Sequence, residues 1–398
     1  MKRLRRLILL TTILSSFTLY AQDSIRVSLL TCDPGQDIYT LFGHTAIRLE
    51  NFTTGDDTVY NYGLFSFDTP NFILKFLTGL TDYRLGKEPF DRFAFVYAMR
   101  GWSIHQQTLC LTSEEAALLQ EKLEINYLPE NRIYRYNYFY ENCTTKARDI
   151  IESCVDGTIV YPDVYRGKTF RGIVHEFTAG SPWDELGIDL CFGADADVEI
   201  GERQQQFAPF YMKDYASRAY ILSDDGTERI LVTEESMAME TEPEEEWSGF
   251  PLSPLACSVL LLAATCCICL VELKKRRTYW LWEVVLMIGQ GLAGCIVAFL
   301  FFFSVHPTVD SNWVMWMFNP LPLLYSPIAI FLALKRRKDR YHVVNVVWLT
   351  VFMIIMLSGV QYFNPSVVPL ALTLLASSLT HVIVENVGAG RVLTRNRK

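Results

Sequence analysis

Five long apolar stretches in the C-terminal part of the chain restrict the fold more than any other feature of the sequence. They occupy residues 250–271, 279–303, 317–334, 343–362 and 367–384. Each is near the roughly 20 residues that a helix needs to cross a bilayer. The mean hydropathy of +0.16 comes almost entirely from this part of the chain. The sequence therefore predicts an all-α membrane bundle of five helices.

Basic residues mark one side of this bundle. Lys and Arg cluster at residues 274–277, at 335–338 and in the tail 391–398, whereas the loops around 306–313 and 364–365 contain none. By the positive-inside rule the basic loops face the cytoplasm. The C-terminus is then cytoplasmic, and the residues before the first span lie outside the cytoplasm.

The N-terminus has the three parts of a secretory signal peptide. Four basic residues precede an apolar run at residues 7–14, and the residues up to Ala21 fit a cleavage site. An uncleaved anchor helix is the alternative, but the apolar run is short for a span. Export agrees with the loop charges, so we expect a multi-pass protein of the cytoplasmic (inner) membrane with a periplasmic domain.

Charge and cysteine content limit the partners and cofactors. The formal net charge is −8, and no basic stripe lies outside the membrane flanks, which argues against nucleic acid as a partner.

Five of the 10 cysteines precede residue 250, and an odd number in an oxidising compartment leaves a thiol unpaired. Cys143 is the candidate. The cysteines at 266–269 lie in an apolar span without His partners, so no metal site or cofactor is implied.

The segment around Cys143 has the pattern of a nucleophile at the start of a helix. Residues 134–140 are predicted to be extended and aromatic, and the helical pattern begins at Thr144. Asn142 is a good N-cap, which puts Cys143 in the first turn. Unpaired N–H groups and the helix dipole favour a thiolate there. A small Cys buried under a helix is an equal alternative on this segment alone.

Two predicted strands supply partners for this thiol. His44 lies in a strand at 41–49, and Asn61 lies in the next strand at 58–63. A His base, an Asn that orients it and a Cys nucleophile are a set that thiol enzymes use. A lone His is more often structural, but three such residues in this order are a stronger signal.

The order of these residues resembles the circularly permuted papain-like domains of the lecithin:retinol acyltransferase type. The stretches FGHTAIRL, VYNYGLFSFDTPNF and LPENRIYRYNYFYENCTTKARDII are similar to the Bacteroidetes lipoprotein N-acyltransferase Lnb family. The resemblance implies an α+β permuted papain-like extracytoplasmic domain ahead of the membrane bundle. It also implies that a Cys143 thioester carries an acyl chain from a membrane phospholipid to the α-amino group of diacylglyceryl-cysteine lipoproteins. Because anchorage needs fewer helices, we expect the bundle to form a lateral opening for acyl chains.

Five further residues are candidates for supporting the site or binding substrate. They are Asn142, Tyr39, Tyr62, Arg48 and Tyr138. Arg48 shares the strand face of His44 and could meet a phosphate. For the three tyrosines, packing on the sheet is the alternative role.

The predicted organisation divides the chain into five parts. These are a signal peptide at 1–21, an extracytoplasmic thiol acyltransferase domain at 22–232, an acidic linker at 233–249, the transmembrane domain at 250–390 and a cytoplasmic basic tail at 391–398. Within the second part, residues 90–100 are predicted to be strand-like, a helix is predicted from Thr112 to about 127, and residues 184–192 are predicted to belong to a lid.

Two other functions fit the same sequence. A papain-like cell-wall peptidase or amidase would need an open polar groove and a membrane domain that serves only as an anchor. An envelope scaffold or sensor with an inert papain-like domain would keep its function without the Cys143 thiol. The five spans and the dense aromatic residues between 65 and 140 count against the peptidase.

Overall fold

The structure, a computed structural model, describes residues 25–242 and 250–395, with side chains up to residue 386. The predicted signal peptide lies outside the described residues, as do the last residues of the predicted acidic linker. The described chain has an α+β N-terminal part and a helical C-terminal part, as the sequence predicts.

A seven-stranded antiparallel sheet organises the N-terminal part, in the order β10-β5-β1-β2-β3-β4-β6. Its strands are β1 Ile25–Cys32, β2 His44–Asn51, β3 Asp56–Leu64, β4 Asp82–Pro89, β5 Ile104–Leu109, β6 Ile133–Arg135 and β10 Val232–Met239. A separate three-stranded sheet consists of β7 Thr158–Val160, β8 Tyr220–Leu222 and β9 Glu228–Ile230. The central strands are buried on both faces because helices cover both sides of the large sheet.

Eight helices surround the sheets within the described residues before 243. They are α1 Phe72–Thr78, α2 Phe90–Ala98, α3 Ser113–Tyr127, α4 Cys143–Glu152, α5 Phe170–Thr178, α6 Pro182–Cys191, α7 Glu202–Gln205 and α8 Pro209–Arg218. The predicted start of α3 is confirmed, because the Thr112 hydroxyl and the Glu115 carboxylate form a capping box. Helices α3 and α4 pack on one face of the large sheet, and α2 covers the other.

The prediction of a strand at residues 90–100 is wrong, because this segment is the helix α2. Phe90 and Phe93 are three residues apart and therefore share a helix face, with which they cover Leu30 and Val59 on the sheet. The strand lies just before it, at β4. The extended segment predicted at 134–140 is also shorter than expected, since strand pairing ends at Arg135.

The predicted start of the acidic linker is also corrected. Residues Val232–Met239 pair with β5 as the edge strand β10 of the large sheet. Exposed glutamates suit such an edge, because charged side chains keep an unpaired strand from joining another sheet. A linker can therefore begin only after Met239.

The helical part confirms the bundle of five helices. They are α9 Pro254–Lys275, α10 Trp280–Phe303, α11 Leu321–Leu334, α12 Tyr341–Leu357 and α13 Val367–Arg395. Four segments are long and apolar enough to cross a membrane: Pro254–Lys275, Trp280–Phe303, Trp313–Leu334 and Val367–Asn386. Helix α12 is apolar but shorter, with 17 residues.

One end of the bundle is joined to the sheet domain by buried polar contacts. Asp189 in α6 accepts hydrogen bonds from Arg171 at 2.8 Å and from Asn364, which precedes α13, at 3.0 Å. The side chain of Gln361 donates to the Phe192 carbonyl at 3.1 Å. The segment predicted to be part of a lid is thus largely the helix α6, and these contacts hold it against the bundle.

Candidate active site

The Asn142 side chain holds the start of helix α4. Its Oδ1 accepts the backbone N–H groups of Thr144 at 2.9 Å and Thr145 at 3.0 Å. The Thr145 hydroxyl in turn accepts the Asn142 N–H at 2.9 Å. This reciprocal cap satisfies the N–H groups that an N-terminus leaves free, and it fixes Cys143 as the first helical residue.

The same amide also ties the helix to its surroundings. Its Nδ2 donates to the carbonyl oxygens of Tyr138 at 2.8 Å and Phe207 at 2.9 Å. The Tyr138 hydroxyl donates to the carbonyl of Pro307, in the loop after α10, at 2.8 Å. Asn142 and Tyr138, both candidates from the sequence, therefore connect the thiol-bearing helix to the membrane domain.

His44 and Asn61 form one hydrogen-bonded unit. The Gly63 N–H donates to Asn61 Oδ1 at 2.8 Å, which sets the orientation of the amide. His44 Nε2 lies 2.7 Å from the same oxygen and must therefore be the donor. With the proton on Nε2, the other ring nitrogen, Nδ1, is free to exchange a proton with Cys143, with which the imidazole interacts.

Charge coupling makes the Cys143 thiol acidic. Burial by itself raises its pKa, but the positive charge of His44, the hydrogen bond with that ring, and bonds from the Thr45 N–H and the Thr144 hydroxyl lower the pKa to about 7. Burial lowers the pKa of His44, yet the Cys143 charge and the bonds to Cys143 and Asn61 raise it above its usual value. At neutral pH the pair can exist as thiolate and imidazolium, the reactive form of a thiol nucleophile.

Sequence reasoning missed three residues of this site. The hydroxyls of Thr45 and Thr144 lie 3.0 Å apart, both fully buried, and join β2 to α4 beside the thiol. Gly63 leaves room for the imidazole, since a Cβ there would lie 2.4 Å from Cε1 of His44. The sequence positions of these residues could have indicated them. Each threonine directly follows His44 or Cys143, and Gly63 lies two residues beyond Asn61 in the same strand.

Three tyrosines, Tyr83, Tyr134 and Tyr136, form an aromatic wall within range of the Cys143 charge. Burial, with a contribution from the Cys143 charge, raises the pKa of Tyr83, Tyr134 and Tyr136, so their hydroxyls stay neutral. The rings of Tyr83 and Tyr136 stack with their centroids 4.0 Å apart. Aromatic rings thus lie in the surroundings of Cys143, together with His44, Thr45 and Thr144.

The other candidates from the sequence have partners elsewhere. The Tyr62 hydroxyl donates to Asn126 at 2.6 Å within the main core. The Arg48 guanidinium binds Asp57 at 2.6 Å and lies 3.6 Å from the centre of the Phe90 ring. We therefore assign Tyr62 and Arg48 to sheet packing.

Tyr39 lies on the surface rather than in the sheet. Its side chain is largely exposed, and its hydroxyl donates to Asp37 at 2.9 Å. Its ring meets Phe65 and Phe67 edge-on, each with centroids 6.0 Å apart. Tyr39 thus belongs to an aromatic surface cluster near the loop that precedes α1.

Two groups of side chains in the described part of the chain could hold a metal ion, and neither includes Cys143. The groups are Glu283 with His342 and His381, and His175 with Glu185 and Asp189. In the first, the two imidazoles stack 3.9 Å apart at 20°, so their lone pairs do not converge on one ion. In the second, Arg171 already neutralises the Asp189 carboxylate. We assign both groups to packing.

Two family models match the chain. The Lnb N-terminal periplasmic domain matches residues 17–167, which include His44, Asn61 and Cys143, and the Lnb transmembrane domain matches residues 244–387. The chain belongs to the Lnb family. Searches of curated proteins and of solved structures gave no match.

Membership of the Lnb family agrees with the domain order that the sequence predicts. The chain is a multi-pass membrane protein in which a periplasmic domain precedes the spans. At the level of the family, the Lnb domains indicate an acyltransferase role in lipoprotein maturation.

Proposed function

We propose that this protein transfers a fatty acyl chain from a membrane phospholipid to the α-amino group of the N-terminal S-diacylglyceryl cysteine of lipoproteins. The observation that supports this most directly is the contact of the Cys143 thiol with an imidazole that Asn61 orients, in a domain bonded to a membrane bundle. We further propose that the signal peptide is removed and that the basic loops and the C-terminus face the cytoplasm.

The first half-reaction loads the acyl chain onto the thiol. The Cys143 thiolate attacks the ester carbonyl of the phospholipid, so a C–S bond forms and the C–O bond to glycerol breaks. The imidazolium of His44 gives its Nδ1 proton to the departing glycerol oxygen. A lysophospholipid leaves, and the acyl chain remains as a thioester on Cys143.

The second half-reaction transfers the chain to nitrogen. The lipoprotein amine attacks the thioester carbonyl while the neutral imidazole of His44 takes a proton from that amine. A C–N bond forms, the C–S bond breaks, and the thiolate–imidazolium pair is restored. A thioester suits this acceptor, because amines attack thioesters more readily than oxygen esters. Throughout, Asn61 keeps the ring in the tautomer that exposes Nδ1.

The start of α4 supplies a donor for the oxyanion that forms in both steps. Asn142 occupies the N–H groups of Thr144 and Thr145. In the described part of the chain no acceptor engages the N–H of Cys143 itself. A donor aimed at the developing negative charge is worth about 3 kcal/mol in transition-state stabilisation.

The test is mass spectrometry of lipoprotein N-termini from cells that lack the protein and carry Cys143→Ser, His44→Ala or the wild-type gene. We expect N-acylated termini with the wild type and with Cys191→Ser, and none with Cys143→Ser or His44→Ala. Cys191→Ser is a matched control, because it removes another partly buried thiol of the same domain. Unchanged N-acylation in the Cys143→Ser cells would refute the proposal and favour the alternative of an envelope scaffold or sensor with an inert papain-like domain. Altered cell-wall fragments with unchanged lipoproteins would favour the peptidase.

A further inference from the structure

The short helix α1 is fixed to the end of a membrane span. The backbone N–H of Val305, just after α10, donates to the Thr78 carbonyl at 3.0 Å. His306 Nε2 donates to the Phe76 carbonyl at 2.6 Å. Gly79 closes the helix with a φ of +73°, and a Cβ there would lie 2.9 Å from the Val305 side chain. Helix α1 therefore lies at the level where α10 leaves the bilayer.

This helix exposes most of its apolar side chains. Phe72 is the buried residue of α1, whereas Ile73 is 72% exposed. We define the apolar edge as Phe67, Ile73, Leu74, Phe76 and Leu80, which are all exposed. An exposed apolar surface of this kind marks an interaction site rather than an ordinary surface.

The apolar edge continues the lipid-facing surface of α10. The last turn of that helix carries Phe302 and Phe303, whose side chains are 64% and 67% exposed. Val305, just beyond the helix, is 67% exposed. Lys75 is exposed on α1 between apolar neighbours, where its ammonium can reach the phosphates of a headgroup. Continuity with a membrane span identifies the occupant of the edge as the outer leaflet.

A row of stacked rings leads from this edge towards the thiol. Phe72 stacks on Phe65 with centroids 5.4 Å apart, and Phe65 stacks on Tyr83 at 4.9 Å. Tyr83 in turn stacks on Tyr136 in the aromatic wall beside Cys143. An acyl chain that entered beside α1 would therefore meet aromatic side chains along this row.

We propose that α1 and the loop 65–71 lie in the outer leaflet and form the lateral opening through which a phospholipid acyl chain reaches Cys143. This inference rests on the proposed function, since it takes the phospholipid as the acyl donor. It places the opening beside the end of α10, rather than between the spans as the sequence suggested.

The first experiment uses the full-length protein in phospholipid vesicles and measures thioester formation on Cys143 by intact mass. The variant is Ile73→Ser with Leu74→Ser, and the matched control is Ile125→Ser with Ile230→Ser, which are similarly exposed and belong to α3 and β9. We expect the α1 variant to lose about tenfold in the rate of acylation from vesicle phospholipid. With the soluble ester p-nitrophenyl acetate, both variants should react as the wild type does.

Two outcomes of this experiment would overturn the opening. If the α1 variant lost the same factor in acylation rate with both acyl donors, α1 would only support the fold. If it lost nothing with the phospholipid, the acyl chain would enter elsewhere. In either case the wild-type thioester would still support the proposed function.

The second experiment does not depend on the chemistry. Benzoylphenylalanine in place of Ile73 should form light-induced adducts with phospholipid, while the same group at Ile230 should not. Adducts with a second copy of the chain or with another protein, and none with lipid, would overturn the proposal. Lipid adducts at position 73, combined with the absence of a thioester in the wild-type protein, would support α1 as a membrane element and refute the acyltransferase chemistry.

Discussion

Replacing Gly63 with Ala is the sharpest test of how the imidazole is held. A Cβ at this position would lie 2.4 Å from Cε1 and 3.2 Å from Nδ1 of His44. Carbon atoms pack at about 3.5–4.0 Å, so the ring has to move by roughly 1 Å. The backbone of Gly63 has no positive φ, so alanine adds crowding without backbone strain.

A shift of this size should act on the rate far more than on the fold. A misplacement of about 1 Å in a reacting group costs on the order of a hundredfold in rate. Overpacking costs about 1–3 kcal/mol of stability, at the lower end when a side chain can move aside. We therefore expect Gly63→Ala to remain folded and to form the Cys143 thioester about a hundredfold more slowly.

The assay is the pH dependence of Cys143 alkylation by iodoacetamide, followed on the full-length protein by peptide mass spectrometry. In the wild type, the thiolate forms as the pH rises through about 7, because the positive charge of His44 lowers the thiol pKa. In Gly63→Ala that charge is displaced, so the half-maximal rate should move up towards the ordinary thiol value of about 8.5.

Gly86→Ala is the matched control. Gly86 pairs with Asn61 across β3 and β4, and a Cβ there would meet the flexible end of Leu64 at 2.2 Å. The crowding is equal, but a leucine rotamer can absorb it, so the alkylation profile should stay near that of the wild type. An unchanged profile and acylation rate in Gly63→Ala would refute the reasoning about how His44 is held.

Three further predictions follow from the same contacts. Asn61→Ala frees His44 to change tautomer and should lower the acylation rate by at least about tenfold, measured as thioester formation. Asn142→Ala removes the cap of α4 and should cost about 1–2 kcal/mol of stability, read from denaturant unfolding in detergent. Asp189→Ala removes one of the two carboxylates that pair with the buried guanidinium of Arg171, the other being Asp197, and should cost about 1–3 kcal/mol, read the same way. Asp189→Asn should cost less than Asp189→Ala, because the amide oxygen can still accept the hydrogen bond from Arg171.

Local patterns carried much of the fold and the centre of the candidate site. An N-cap is read from a few neighbouring residues, so the start of α4 and the position of Cys143 followed from Asn142. Hydropathy likewise predicted the five helices. The order of His44, Asn61 and Cys143 was informative because strands and helices bring such residues together only in particular topologies.

Features that depend on non-local packing escaped the sequence. The strand β10 exists because its backbone pairs with β5, more than 120 positions earlier in the chain. The apolar residues of segment 90–100 fit the period of a strand as well as that of a helix. The segment becomes the helix α2 because Phe90 and Phe93 pack together on one face of the large sheet. Gly63 gains its role from the position of the His44 ring above it, which no local pattern encodes.

Tyr138 has a consequence for the substrates that the protein can accept. Its carbonyl holds the cap of α4, and its hydroxyl holds the loop after α10, so one residue links the sulfur atom to the bilayer surface. These two contacts fix the start of α4 relative to the end of the span α10. If the protein acts as proposed, this fixed position would make the thiol select ester bonds by their depth in the bilayer, favouring those at the level of glycerol over those farther out.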